Sequence, residues 1–266
     1  MVLAEPFAGT AALTLHMLGG RPLTAYLGGK QRYAKAIAAA SGLARPTGVI
    51  LNDAGPWGRA WITLTAGRWV EVAAMIEALA EGASGAELFQ RLAMQASPSD
   101  DVAWTATFLM LQSAAARGKP VADASTRWRT AGYAHLSDSA RRRGFVERLR
   151  PDLLAARVRA LGALDWPPVT AYQLDVTSGA LHQLVDVVPD VVYLDPSYKG
   201  TTGYQHDITR GALRRSAEAW RETGALVVIS EAEPLSWAGW HHHRSQRVRA
   251  SKRIAIGAAF GDRSLR

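Results

Sequence analysis

The chain has 266 residues, 48% of them hydrophobic, no cysteine and a formal net charge of +8. That length and apolar content suit one large domain or a domain carrying a sizeable insertion, while the lack of cysteine excludes disulfides and thiolate zinc sites. No apolar run reaches the ~18 residues of a membrane helix and no charged-then-apolar leader opens the sequence, so a cytoplasmic protein is expected, and the surplus of positive charge favours a polyanion, nucleic acid first, as partner.

The first apolar run, VLAEPFAG at 2–9, ends in an acid, a proline and a glycine. TAALTLHML follows, with Leu13, Met17 and Leu18 at helical spacing, which predicts strand, glycine turn and helix. Four more apolar runs end in or near an acid: GVILND at 48–53, VTAYQLD at 169–175, DVVYLDPSY at 190–198 and ALVVISEAEP at 225–234. Runs continuous in Val, Ile and Leu suit strands buried on both faces of a largely parallel sheet. The expected fold class is α/β, doubly wound. In such sheets ligands lie beyond the carboxyl ends of the strands, which gathers Glu5, Asp53, Asp175, Asp195 and Glu231 at one edge. A lone acid there is commonly a helix cap or a solvated loop residue; five at one edge point to a ligand.

The stretch 54–168 reads as helical, with RWVEVAAMIEALAEG, GAELFQRLAMQ and SPSDDVAWTATFLMLQSAAARG. In the last, Ser97 is the expected N-cap and Pro98 the first helical residue. Most of the tryptophans here are expected to pack between helices. Beyond them Arg127, Arg129, Arg141, Arg142 and Arg143 are interleaved with Trp128 and Tyr133. Such a stretch can follow a phosphate backbone while its planar groups meet bases, and it can equally be a solvated helix face whose aromatics are core. His241, His242 and His243 are adjacent, a spacing that does not close around one metal ion, so no metal is expected and a solvated or nucleic-acid-facing loop is. RSQRVRASKR at 244–253 is either a further phosphate contact or a charged tail.

In the run at 190–198, Asp195 would be an acceptor of low mobility, Pro196 fixes the turn without an amide hydrogen, and Tyr198 offers a flat face. An acceptor carboxylate, an oriented carbonyl and an aromatic plane together suit a planar ring with an exocyclic amino group.

Here the sequence resembles a known family. DPSY at 195–198 resembles the [D/N]PP[Y/F] motif of amino methyltransferases, and AEPFAGTAAL at 4–13 is similar to the FxGxG cofactor motif of Dam-like, D12-class DNA adenine methyltransferases. YLGGKQRYAKAI at 26–37 resembles the GGK segment of that family, ILND its second-strand acid, and YQLDVTSGAL the acidic segment before DPPY. KGTTGY and VVISEAEP resemble the continuations of phage members. The matches fall within 2–53 and 169–234, which implies a Rossmann-like, S-adenosylmethionine-binding methyltransferase domain over 1–53 and 169–266. The helical, basic region 54–168 would be an insertion that contacts double-stranded DNA. The resemblance implies that Glu5, Phe7, Gly9, Thr10, Lys30, Asp53 and Asp175 bind S-adenosylmethionine, with Asp53 on the ribose hydroxyls and Asp175 on the cofactor adenine. Asp195, Pro196, Ser197 and Tyr198 would hold and polarise the N6 amino group of a flipped adenine. Arg127, Trp128, Arg129, Arg141, Arg142 and Arg143 would meet the duplex. Three positions depart from the family pattern: Ser197 replaces proline, Ala11 replaces the second glycine, and the GGK segment follows the first motif rather than preceding it. The same motif fits cytosine N4 or an RNA amino group, and a degenerate fold would leave only DNA binding.

Overall fold

The computed structural model describes residues 1–24, 30–83, 85–115, 121–122, 128, 149–176, 181–196, 208–231, 235–249 and 252–259. Five strands, β1 (Val2–Glu5), β2 (Gly48–Asn52), β3 (Val169–Tyr172), β4 (Val191–Leu194) and β5 (Leu226–Glu231), are those expected from the apolar runs, and all their pairings are parallel. Two more, β6 (His241–Arg249) and β7 (Lys252–Ala259), complete a sheet of order β3-β2-β1-β4-β5-β7-β6. The basic run at 244–253 is therefore largely sheet rather than tail, and the three histidines open a strand rather than sit in a loop. β7 enters antiparallel between β5 and β6, so the hairpin, and not a further crossover, closes that side. The architecture is the expected α/β, doubly wound, Rossmann-like sheet, and its order reverses between β1 and β4, the place where such sheets open a crevice.

Strand alternation sorts the side chains onto two faces. Leu3, Val191, Tyr193 and Val228 share one face with Leu13 of α1 (Ala12–Met17) and Ile37 of α2 (Ala34–Ala40). On the opposite face Ala4, Ile50, Val192, Leu194, Val227 and Ile229 pack with Leu213, Ala217 and Trp220 of one helix, α9 (Arg210–Glu222). Those three helical positions recur at four and three residues and form one apolar stripe. Between these helices in sequence lie α3 (Pro56–Thr65), α4 (Trp69–Ala80), α5 (Gly85–Met94), α6 (Asp101–Ser113), α7 (Pro151–Gly162) and α8 (Leu181–Leu184).

The helices of the middle region form one hydrophobic cluster with the sheet. Trp57, Trp61, Ile76, Phe108 and Val158 join Val49 and Leu51 of β2 and Leu15 of α1. Trp57 stacks beside Trp61 and meets Phe108 edge-on, and Trp69 stacks on Trp166, as helix-packing residues should. α6 starts later than its sequence suggests: Asp100, not Ser97, is the N-cap, and its carboxylate accepts from the Ala103 amide at 2.8 Å. An aspartate is as good a cap as serine and adds a negative charge at the positive end of the helix. No helix among the described residues is long and apolar enough to cross a membrane.

Candidate functional site

The carboxyl edge of the sheet is tied together by backbone-directed side chains. β2 ends in Asn52, buried, whose Nδ2 donates to the carbonyls of Pro6 and Leu174 at 2.9 and 3.0 Å and whose Oδ1 accepts from the Leu174 amide at 2.9 Å. One amide side chain thus holds the exits of β1, β2 and β3 in register. The Ala8 amide adds a bond to the Asn52 carbonyl at 2.7 Å.

The turn after β1 is fixed at Gly9, which has φ +47°, a conformation open to glycine at no steric cost. Its amide donates to Asp53 Oδ2 at 3.0 Å and its carbonyl accepts from Trp61 Nε1 at 2.7 Å. Asp53 Oδ1 in turn accepts from the Gly55 amide at 2.8 Å, so Asp53 clasps the turn after β1 to the turn after β2. Thr10 is buried in the same turn, and Phe7 is half-buried against the α9 side of the sheet. Ala11 stands at φ +50°, ψ +44° and caps α1. That is the left-handed region, which an L-residue with a Cβ adopts only at a cost.

At the end of β4, Asp195 receives two donors on one oxygen. Lys30 Nζ lies 2.6 Å from Oδ1 and Ser230 Oγ donates to the same atom at 2.7 Å. Lys30 is only 4% exposed, so it is no surface-turn residue. Although its segment follows the glycine turn in sequence, the fold delivers it to the β4 exit. Pro196 is buried beside it. Glu5, the last residue of β1, is 3% exposed and accepts from the Thr14 amide at 2.7 Å. Burial, opposed by that hydrogen bond and assisted by the nearby charge of Asp195, raises its pKa from 4.5 to about 7. Glu231, at the end of β5, is held by a bidentate pair with Arg210 at the start of α9, with Nη2 to Oε2 at 2.9 Å and Nη1 on Oε1.

The structure therefore brings together Glu5, Lys30 and Asp195 where β1 and β4 end side by side, and Gly9 with Asp53 where β1 and β2 do. Asp175 is exposed beyond β3, which β2 separates from β1. Trp128, expected to meet nucleic acid, stacks on Trp104 with centroids 5.6 Å apart and packs against the helical cluster. Ser197, Tyr198, Arg127, Arg129, Arg141, Arg142 and Arg143 lie outside the described residues. Sequence reasoning passed over Asn52, Tyr193 and Ser230, and read Trp61 only as a packing residue, whereas its Nε1 also donates to the Gly9 carbonyl. Asn52 and Ser230 each adjoin an acid that took the attention, yet a neutral polar residue in an otherwise apolar strand is itself a signal, because burying it requires a partner.

No protein-family model and no curated protein matches the chain. Two solved structures of the rRNA methyltransferase aviRa from Streptomyces viridochromogenes are similar to it. The 2.4 Å structure is 12% identical, over 98% of this chain and 76% of that one; the 1.5 Å structure is 13% identical, over 96% and 75%. Both give a TM-score of 0.37.

Proposed function

We propose that the chain is an S-adenosylmethionine-dependent methyltransferase acting on an exocyclic amino nitrogen, adenine N6 in double-stranded DNA. The observation that carries this reading is the Asp195–Pro196 step at the end of β4, anchored at the crevice between β1 and β4 next to the glycine turn. That is where a Rossmann-like sheet binds its ligand.

The residues fit the methyl donor. Each carboxylate oxygen of Asp53 accepts one backbone amide, which fixes the acid at the exit of β2. Glu5, Phe7, Gly9, Thr10 and Asp53 would hold the donor, with Asp175 and Lys30 at its periphery. S-adenosylmethionine supplies an electrophilic methyl group on a sulfonium. The chain supplies position and polarisation: Asp195 and the Pro196 carbonyl accept hydrogens from the amino group, which raises electron density on the nitrogen and fixes its approach. Tyr198 would stack on the extruded base and Ser197 would shape the loop between them. Arg127, Arg129, Arg141, Arg142 and Arg143 would bind phosphates, while Trp128 stacks on Trp104.

Incubation with labelled S-adenosylmethionine and duplex DNA, followed by nucleoside analysis, is expected to give N6-methyladenine. N4-methylcytosine, or label in RNA alone, would move the target while keeping the chemistry. Asp195→Ala is expected to abolish transfer and to preserve the rise in melting temperature that S-adenosylmethionine causes. Unchanged transfer in that variant would remove Asp195 from the mechanism, and no shift with S-adenosylmethionine in the native protein would favour a DNA-binding protein on a degenerate fold.

A further inference from the structure

Two buried hydroxyls stand in line with Asp195. Tyr193 precedes it by two residues and so shares its face of the sheet. Tyr193 Oη donates to Ser230 Oγ at 3.0 Å, and Ser230 Oγ donates onward to Asp195 Oδ1 at 2.7 Å. Both hydroxyl residues are closed to solvent, Ser230 at 0% and Tyr193 at 2% exposure. Their neighbours along the strands are Val191, Val192, Leu194, Val227, Val228 and Ile229, any of which would be the default choice for such positions. A buried hydroxyl without a partner is destabilising, and here the two are satisfied through each other and the carboxylate.

The backbone keeps the line in place. The last registered pair of β4 and β5 is Leu194 with Ile229, and β5 runs two residues further. Ser230 and Glu231 are there paired on their other side with Ile256 and Ala255 of β7. The antiparallel strand therefore anchors Ser230 at the level where β4 gives way to the Asp195 turn. Lys30 Nζ is the second donor on the same oxygen, at 2.6 Å. Both donors occupy Oδ1, and Oδ2 has no hydrogen-bond partner among the described residues.

We propose that Ser230, oriented by Tyr193, is a positioning residue for methyl transfer: it locks the rotamer of Asp195 through Oδ1 so that Oδ2 is the atom that accepts the substrate amino hydrogen. This inference rests on the methyltransferase reading above. A loosened carboxylate loses the geometry on which such catalysis depends, and a displacement of ~1 Å costs on the order of 100-fold.

The test is single-turnover methyl transfer to duplex DNA by the full chain and its S230A, S230T and Y193F variants. The melting-temperature shift caused by S-adenosylmethionine is followed in parallel. S230A is expected to transfer about 10- to 100-fold more slowly, with an unchanged melting shift and an unchanged donor concentration for half-maximal single-turnover rate. S230T, which keeps the hydroxyl, is expected to regain most of the rate, and Y193F to fall between. If S230A fails to fold, by far-UV circular dichroism, the comparison of S230T with Y193F carries the same distinction. Transfer by S230A at the native rate, with Asp195→Ala inactive, would overturn the positioning role alone. Equal losses in S230A and S230T accompanied by a lost melting shift would overturn it in favour of a packing role. No transfer by the native chain would instead overturn the methyltransferase reading, and this inference with it.

Discussion

Replacing Glu5 by glutamine tests the electrostatics of the β1 exit without reference to any substrate. The Glu5 carboxyl is buried at the end of a central strand and titrates near 7 instead of 4.5, a difference of about 2.5 pH units at roughly 1.4 kcal/mol each. Between those two values the folded protein keeps a proton that the unfolded chain has released. Stability therefore falls as pH rises through that window, by about 3.5 kcal/mol in total, and levels off once the folded carboxyl has also ionised. Glutamine stands in for the protonated acid: its Oε1 can still accept the Thr14 amide, and it does not titrate. Urea unfolding of both proteins at pH 5, 6, 7 and 8 should show the glutamine variant gaining about 2.5 kcal/mol relative to the native chain from the acidic to the alkaline end, the rest of the change falling below pH 5. A difference that stays constant within about 0.5 kcal/mol across the series would refute the assignment of the raised pKa to Glu5 and, with it, the view that burial outweighs the Thr14 hydrogen bond.

Substitutions at two further positions probe the backbone around it. A Cβ at Gly58 would lie 2.1 Å from the Asp53 carbonyl oxygen and 2.9 Å from that of Tyr172, and backbone atoms cannot yield as a side chain can. Gly58→Ala should cost about 3 kcal/mol in urea unfolding and should weaken the melting shift with S-adenosylmethionine, because the displaced segment carries the clasp on Gly9. Ala11→Gly relieves a left-handed backbone worth about 1 kcal/mol. It also deletes a buried methyl worth about 0.8 kcal/mol and frees the unfolded chain by about 0.4–1 kcal/mol, so its unfolding midpoint should move little. Ala11→Val, branched at Cβ in the same conformation, should lower the midpoint clearly.

Strands buried on both faces announce themselves, which is why β1, β2, β4 and β5 and the acids that close them were readable from the chain. β6 was not: HHHRSQRVR carries almost no apolar residue, and only its pairing with β7 makes it a strand. Lys30 was readable as a residue type in a family-like segment but not as a partner of Asp195, because distance along the chain says nothing about which turn meets which across a crevice. Asn52 and Ser230 were hidden for another reason. Their contribution lies in satisfying specific backbone and carboxylate atoms, and those partners are defined only once the strands are aligned. The shift of the α6 cap from Ser97 to Asp100 reflects two nearly equal capping residues three positions apart, a choice that packing decides.

The pairing of β1 with β4 carries a cost in time. The Val2 amide bonds to Asp190 across 188 residues of chain, and Leu3 pairs with Val191. At a synthesis rate of about 5–20 residues per second, the first strand waits roughly 10–40 s for that neighbour. During this interval β2 and the tryptophan-bearing helices can assemble on one flank, while the other edge of β1 stays open and nothing resembling a ligand crevice exists. The emerging chain is thus most vulnerable to association with other chains before residue 191 leaves the ribosome, and the crevice is among the last features to form.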